Sequence, residues 1–216
     1  CRRAWLSYGR PFTTALELLE RRRSVSYVTT GCKALDELLG GGVETKAITE
    51  LCGEYGVGKT QLCHQLCVTV QLPRSRGGLS ASALYIDSEG TFRPERLVEI
   101  AERFGVPPKQ VLERTVYARA YSSDHQSFLV EEACRVLEEQ GVGVVVVDSL
   151  VGHFRGEFCG REMLAERQQR LNKHIHQLLR IAEVFNVAVV VTNQVLSIPD
   201  ALAPTPLASQ RPVGGH

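Results

Sequence analysis

The sequence has no apolar run long enough to cross a membrane. The longest, Val142 to Val147, is strand-length and ends on Asp148. No apolar h-region follows Cys1-Arg2-Arg3-Ala4-Trp5, so nothing here reads as a secretory signal. The expectation is an intracellular protein with no membrane partner. C-x-x-C pairs are missing too: the seven cysteines stand at 1, 32, 52, 63, 67, 134 and 159, which gives neither a zinc nor a dithiol motif. Cys63 and Cys67, four apart beside His64, read as small apolar residues of a buried helix face. No charge of one sign predominates, since 25 Lys and Arg face 24 Asp and Glu. Any nucleic-acid surface must therefore be local. Lysine is scarce, 5 against 20 arginines, and the planar Arg fork suits phosphate recognition. An initial Met is absent, the single Met being Met163, and the chain stops in the turn-like Pro212-Val213-Gly214-Gly215-His216. These ends suggest a piece of a longer protein cut on both sides.

What is present describes one domain. The 216 residues are 44% hydrophobic and 23% charged, enough to bury a core without disulfides or metals and too apolar for disorder. Residues 1–24 form a lead-in, with a helix expected from Pro11-Phe12-Thr13-Thr14-Ala15 through Glu20. Arg21-Arg22-Arg23 closes it as a solvated helix end. From Val25 onward strands alternate with helices. Buried-type strands are expected at Ala47–Cys52, Ala83–Asp87, Val116–Ala120, Val142–Asp148 and Val187–Thr192. Helices are expected at Thr60–Gln71, Pro94–Phe104, His125–Gln140 and Glu162–Phe185. This alternation predicts an α/β fold, a mostly parallel sheet flanked by helices. Residues 152–161 and 195–215, the latter with Pro199, Pro204, Pro206 and Pro212, show no period. Both follow strands and so lie at the carboxyl edge of the sheet, where such folds place their sites.

Gly53-Glu54-Tyr55-Gly56-Val57-Gly58-Lys59-Thr60 fits the phosphate-binding pattern G-x-x-x-x-G-K-[ST]. Its glycines let backbone N–H groups curl around phosphate oxygens, and the following helix turns its positive end toward them. Lys59 would reach the β- and γ-phosphates and Thr60 would hold Mg²⁺. Val144-Val145-Val146-Val147-Asp148 is an apolar strand ending in a carboxylate. Alone such an Asp is as readily a cap; beside the phosphate loop it becomes a Mg²⁺ partner. Hydrolysis needs a group to activate water. Glu89 follows the strand Ala83–Asp87 and is preferred over Asp87, whose side chain belongs to the strand. Asn193-Gln194 ends another strand, where Gln194 either senses a γ-phosphate or simply caps.

At this point the residues resemble a family, the RecA-fold DNA strand-exchange recombinases, most closely the archaeal RadA branch and its eukaryotic counterparts. The motifs are Gly53–Thr60, Tyr85-Ile86-Asp87-Ser88-Glu89-Gly90-Thr91-Phe92-Arg93-Pro94-Glu95-Arg96, Ala118-Arg119-Ala120, Leu164-Ala165-Glu166-Arg167-Gln168-Gln169, Thr192-Asn193-Gln194-Val195 and Gly214-Gly215-His216. The resemblance implies a P-loop RecA-like ATPase core over 25–216 that lacks its C-terminal strands. It implies ATP and Mg²⁺ as cofactors, and ATP-driven pairing of single-stranded with double-stranded DNA in recombinational repair.

Residue by residue it makes Glu89 the catalytic glutamate, Gln194 the γ-phosphate sensor and Arg96 the platform for adenine, with Gln61 binding nucleotide beside Gly53–Thr60. Residues 152–161 and 195–213 become the two DNA loops, with Arg155, Arg161 and Arg167 as DNA contacts. Phe12 and Ala15 match a polymerisation motif that inserts into a neighbour at Ala118 and Ala120, giving a homo-oligomeric filament or ring. Without the resemblance, Phe12 reads as an internal packing residue, and Arg167 and Arg170 as a helix face pairing with Glu166.

Three features depart from the pattern. No N-terminal helical DNA-binding domain is visible. Ser197-Ile198-Pro199 and Leu202-Ala203-Pro204-Thr205 replace more polar residues in the second loop. The core is expected to continue beyond His216. A paralogue that binds ATP and a partner recombinase without exchanging strands is therefore the alternative. Phe92–Arg96 and Leu164–Gln169 argue against a helicase or clock-type ATPase.

Overall fold

Strands β4 (Ser82–Asp87) and β6 (Val142–Asp148) are buried at every position, which only a sheet covered on both faces allows. Their alternate residues feed two cores. Leu84, Ile86, Val145 and Val147 face one side, Ala83, Tyr85, Val144 and Val146 the other. The computed structural model describes residues 12–197 and 210–212. Its main sheet runs in the order β3-β7-β6-β4-β5, all parallel, with β3 at Ile48–Gly53, β5 at Thr115–Arg119 and β7 at Ala188–Ser197.

Before the sheet come α1 (Ala15–Arg22), α2 (Lys33–Leu38) and a small antiparallel ladder of β1 (Tyr27–Val28) with β2 (Val43–Glu44). Helices α3 (Lys59–Thr69) and α4 (Pro94–Phe104) cover one face through Cys63, Leu66, Cys67, Leu97 and Ile100. Helix α5 (Pro108–Glu113) leads into β5. The other face is covered by α6 (Ser123–Gln140), α7 (Gly152–Glu157) and α8 (Leu164–Phe185), through Val130, Leu137, Phe154, Leu171 and Leu178. Local chemistry sets the ends. Ser122 Oγ accepts from the His125 N–H at 3.0 Å to start α6, and Gly141, at φ +58°, takes the left-handed position that ends it.

The expected strands all form, with shifted bounds. Ala120 lies outside β5, and β7 continues to Ser197. The stretch 152–161 is not structureless, because 152–157 are helical. Val151, Phe154 and Phe158 recur at i, i+3 and i+7 and are all buried, a helical spacing that the surrounding glycines disguise. The second expected loop, 195–213, likewise opens inside β7 and includes β8 (Gln210–Pro212), which pairs antiparallel with Val195–Ser197. Its residues 198–209 and 213, with Gly214-Gly215-His216 and residues 1–11, lie outside the described residues. Helix α1 runs to Arg22, so the arginine triplet begins within the helix. No described helix is long and apolar enough to cross a membrane.

Candidate active site

The strand register brings the expected residues to one edge. Gly53 lies opposite Gln194, and Asp87 lies opposite both Asp148 and Arg119. The carboxyl ends of four strands therefore meet the start of α3 around a cleft of about 410 Å³. Tyr55, Gly56, Gly58, Lys59, Thr60 and Gln61 line one wall, and Glu89, Asp148 and Gln194 the other. Gly56 and Gly58 have φ of +83° and +99°, and a Cβ on either would meet nothing within 4 Å. The glycines are thus required by backbone conformation rather than by crowding, and the face of the loop is open to a ligand. Lys59 Nζ donates to the carbonyls of Gly53 and Glu54 at 2.8 and 2.7 Å, folding its ammonium across the loop mouth. Val57 is exposed, and its side chain would meet a Cβ placed on Gly53.

Asp148 is buried, and Tyr85 and Thr192 donate their hydroxyls to its two oxygens at 2.6 and 2.5 Å. Burial, then the charge of Asp148, pushes the Tyr85 phenol well up, so it stays a donor. No basic side chain among the described residues forms an ion pair with Asp148. A buried carboxylate without a cation is costly unless a metal supplies the charge. This donor set therefore fits Mg²⁺, with Thr60 across the cleft. Two further hydroxyls fit a polar ligand, as Thr91 Oγ1 and Ser149 Oγ are buried without a hydrogen-bond partner and both residues line the cleft.

Asp87 differs from its neighbour. Its carboxylate accepts backbone N–H groups from Glu89, Gly90 and Phe92 at 3.0, 2.7 and 3.2 Å and pairs with Arg119 at 3.0 Å. It is a turn-former, while Glu89 is exposed at the cleft. Strand parity and the family resemblance both separate the two in the sequence. Sequence reasoning missed Tyr85, Thr91, Ser149, Thr192 and Arg93, whose guanidinium donates to the Gly90 and Phe92 carbonyls beside the cleft. The apolar pattern made Tyr85 a core residue, and nothing marked its hydroxyl. His64 accepts the Arg93 N–H at 3.1 Å and stacks on Phe92; burial lowers its pKa. Among the described residues no cluster could hold a metal through His, Cys, Asp and Glu alone.

Arg96 stands one residue outside the cleft, donating to Gln61 Oε1 at 2.7 Å and pairing with Glu99. Arg155, on α7, donates to Gln194 Oε1 at 3.4 Å, so the first expected DNA loop touches the expected sensor. Arg161 is exposed and Arg167 half-buried. Arg170 pairs with Asp124 and Glu166 and covers Phe158, as a helix-face residue would. Phe12 is 88% exposed and Ala15 opens α1. On the outermost strand Ala118 is half-buried, while Ala120, just beyond it, is closed off within the core.

The model of the family described as Rad51 matches residues 21–216. The chain is 53% identical over 206 residues to the DNA repair and recombination protein RadA of Metallosphaera sedula, covering 95% of this chain and 63% of that protein. It is 51% identical over 205 residues to the protein of the same name from Aeropyrum pernix, with the same shares covered. The chain thus spans 63% of the length of these relatives.

Proposed function

As the chain belongs to the Rad51 family, we propose that it is the ATP-hydrolysing core of a recombinase that assembles on single-stranded DNA and exchanges strands in repair. The observation that carries this reading is the convergence of Lys59, Thr60, Asp148, Glu89 and Gln194 on one cleft. The relatives' printed names, DNA repair and recombination protein, support the biological setting.

In this reading the N–H groups of Gly56 to Thr60 and the Lys59 ammonium bind phosphate oxygens, and the base stacks near Arg96. Thr60 and Asp148 would hold Mg²⁺, which when bound neutralises charge on the phosphates. Glu89 orients a water and accepts its proton. Gln194 donates its side-chain amide to the terminal phosphate. Through Arg155 and β7, which leads directly into the second loop, Gln194 can pass the loss of that phosphate to both DNA loops. Arg155, Arg161 and Arg167 supply the positive charge for the DNA backbone, and Phe12, Ala15 and Ala118 form the contact between subunits, whereas Ala120, expected there too, is fully buried and takes no part.

The test is ATP hydrolysis by the full protein, with and without single-stranded DNA. Stimulation by DNA that disappears in Lys59→Ala is expected. Glu89→Gln should retain nucleotide binding and lose at least about 100-fold in turnover, the usual scale for a general base. Undiminished turnover would remove Glu89 from its role. Nucleotide binding without DNA stimulation would instead favour a mediator acting on a partner recombinase.

A further inference from the structure

The turn that carries Glu89 is wrapped around a single buried carboxylate. Asp87, its side chain 1% exposed, accepts the N–H groups of Glu89 and Gly90 on Oδ1 and that of Phe92 on Oδ2. Tyr117 donates its hydroxyl to Oδ2 at 3.2 Å. A charge so buried needs a counter-charge, and Arg119 provides it at 3.0 Å while also donating to the Asp87 carbonyl at 3.2 Å. A Cβ built on Gly90 would stand 3.2 to 3.3 Å from three atoms of the Arg119 guanidinium, so that plane lies against the turn from outside. The turn is held between a carboxylate within and a guanidinium without. Arg119 belongs to the outermost strand and is not part of the cleft wall.

We propose that Arg119 is a positioning residue for Glu89, acting through Asp87 and the backbone of the intervening turn. This rests on the reading of Glu89 as the group that activates water. The turn sets where the Glu89 carboxylate stands, and a displacement of about 1 Å at such a group can cost on the order of 100-fold in rate. The phosphate loop, on the far edge strand, does not depend on the pair. Loss of Arg119 therefore acts on turnover and spares nucleotide affinity.

The test uses the full protein, with ATP turnover, the Kd of a fluorescent ATP analogue with Mg²⁺, and thermal melting measured together. Arg119→Met should lower kcat by about 10- to 100-fold while leaving Kd within about threefold. Arg119→Lys, which restores the charge, should recover most of the loss. If Arg119→Met does not fold, Arg119→Gln, which keeps a donor without the charge, should show an intermediate fall in kcat at constant Kd. A wild-type kcat in the folded neutral variant, or parallel losses of kcat and affinity that follow the melting temperature, overturns the proposal. Normal turnover in Glu89→Gln removes the underlying reading, whereas an inactive Glu89→Gln beside a fully active Arg119 variant sinks only the positioning role.

Discussion

Asp87 and Asp148 stand in register on neighbouring strands, and their surroundings give them different work. Asp87 is fully engaged by a turn and a guanidinium, so its charge is spent on shape. Among the described residues the Asp148 carboxylate receives only two hydroxyls, and Asp148 lines a cleft that contains Lys59 and Thr60. Tyr85 is thus as much part of the site as Asp148 itself. Tyr85→Phe keeps the ring, which packs at 4.8 Å from Phe92, and deletes only the donor. A hydrogen bond to a charged group contributes about 1.5–3 kcal/mol, so the variant should lose roughly that much stability in urea unfolding. It should also need more Mg²⁺ for half-maximal ATP turnover. An unchanged Mg²⁺ dependence would mean that Thr192 alone holds the carboxylate in place.

At the scale of elements, the α6–α8 layer contains a titration of its own. His174 of α8 is buried against Gln126 of α6, with its Nε2 3.2 Å from the amide nitrogen. Burial pushes its pKa from 6.5 down to about 4. The folded state therefore binds fewer protons than the unfolded state between those values. Stability is full above pH 6.5 and falls as the pH drops toward 4, by roughly 3 kcal/mol in total. His174→Gln should flatten this acid limb in urea midpoints measured at pH 7 and pH 4.5; parallel limbs would place the proton uptake elsewhere.

The elements also show where sequence patterns are readable. Val142–Asp148 and Pro94–Phe104 form as expected, because a continuous apolar run and a Pro-started amphipathic helix each have one stable outcome. The strand–loop–helix of Gly53–Thr60 was legible as well, since Gly56 and Gly58 take positive φ angles that few other residues adopt. Helix α7 was not, as its period rests on Phe154 and Phe158 among glycines. The ladder β1–β2 and helices α2 and α5 are too short to show any period. Hydroxyl partners such as Tyr85 and Thr192, and the Asp87–Arg119 pair, depend on which strands become neighbours, and local spacing does not encode that.

For the whole molecule, the lead-in and the edge strand β5 are where the proposed contact between copies falls. Phe12, Leu16 and Leu19 are exposed at the start of the described chain, and β5 has no neighbour on its outer side among the described residues. In the reading as a polymerising recombinase, Phe12→Glu should leave nucleotide affinity unchanged and shift the full protein to monomers in sizing by light scattering. Oligomers of undiminished size would assign Phe12 to internal packing instead.

The order of the strands has a consequence for how such a site can change. The Gly53–Thr60 loop, Gln194, Asp148 and the turn of Glu89 hang from four successive parallel strands, β3, β7, β6 and β4. Hydrogen-bonded strands sit about 4.8 Å apart, so the ends of β3 and β4, from which the two walls of the cleft spring, are three such steps or roughly 14 Å apart across the sheet. Lys59 and Glu89 reach inward from them to line one cleft. The sheet is a ruler, and its graduations belong to the peptide backbone rather than to any side chain. Substitution in the loops can alter what is held at each mark. The spacing between the marks is fixed for as long as the strands remain paired.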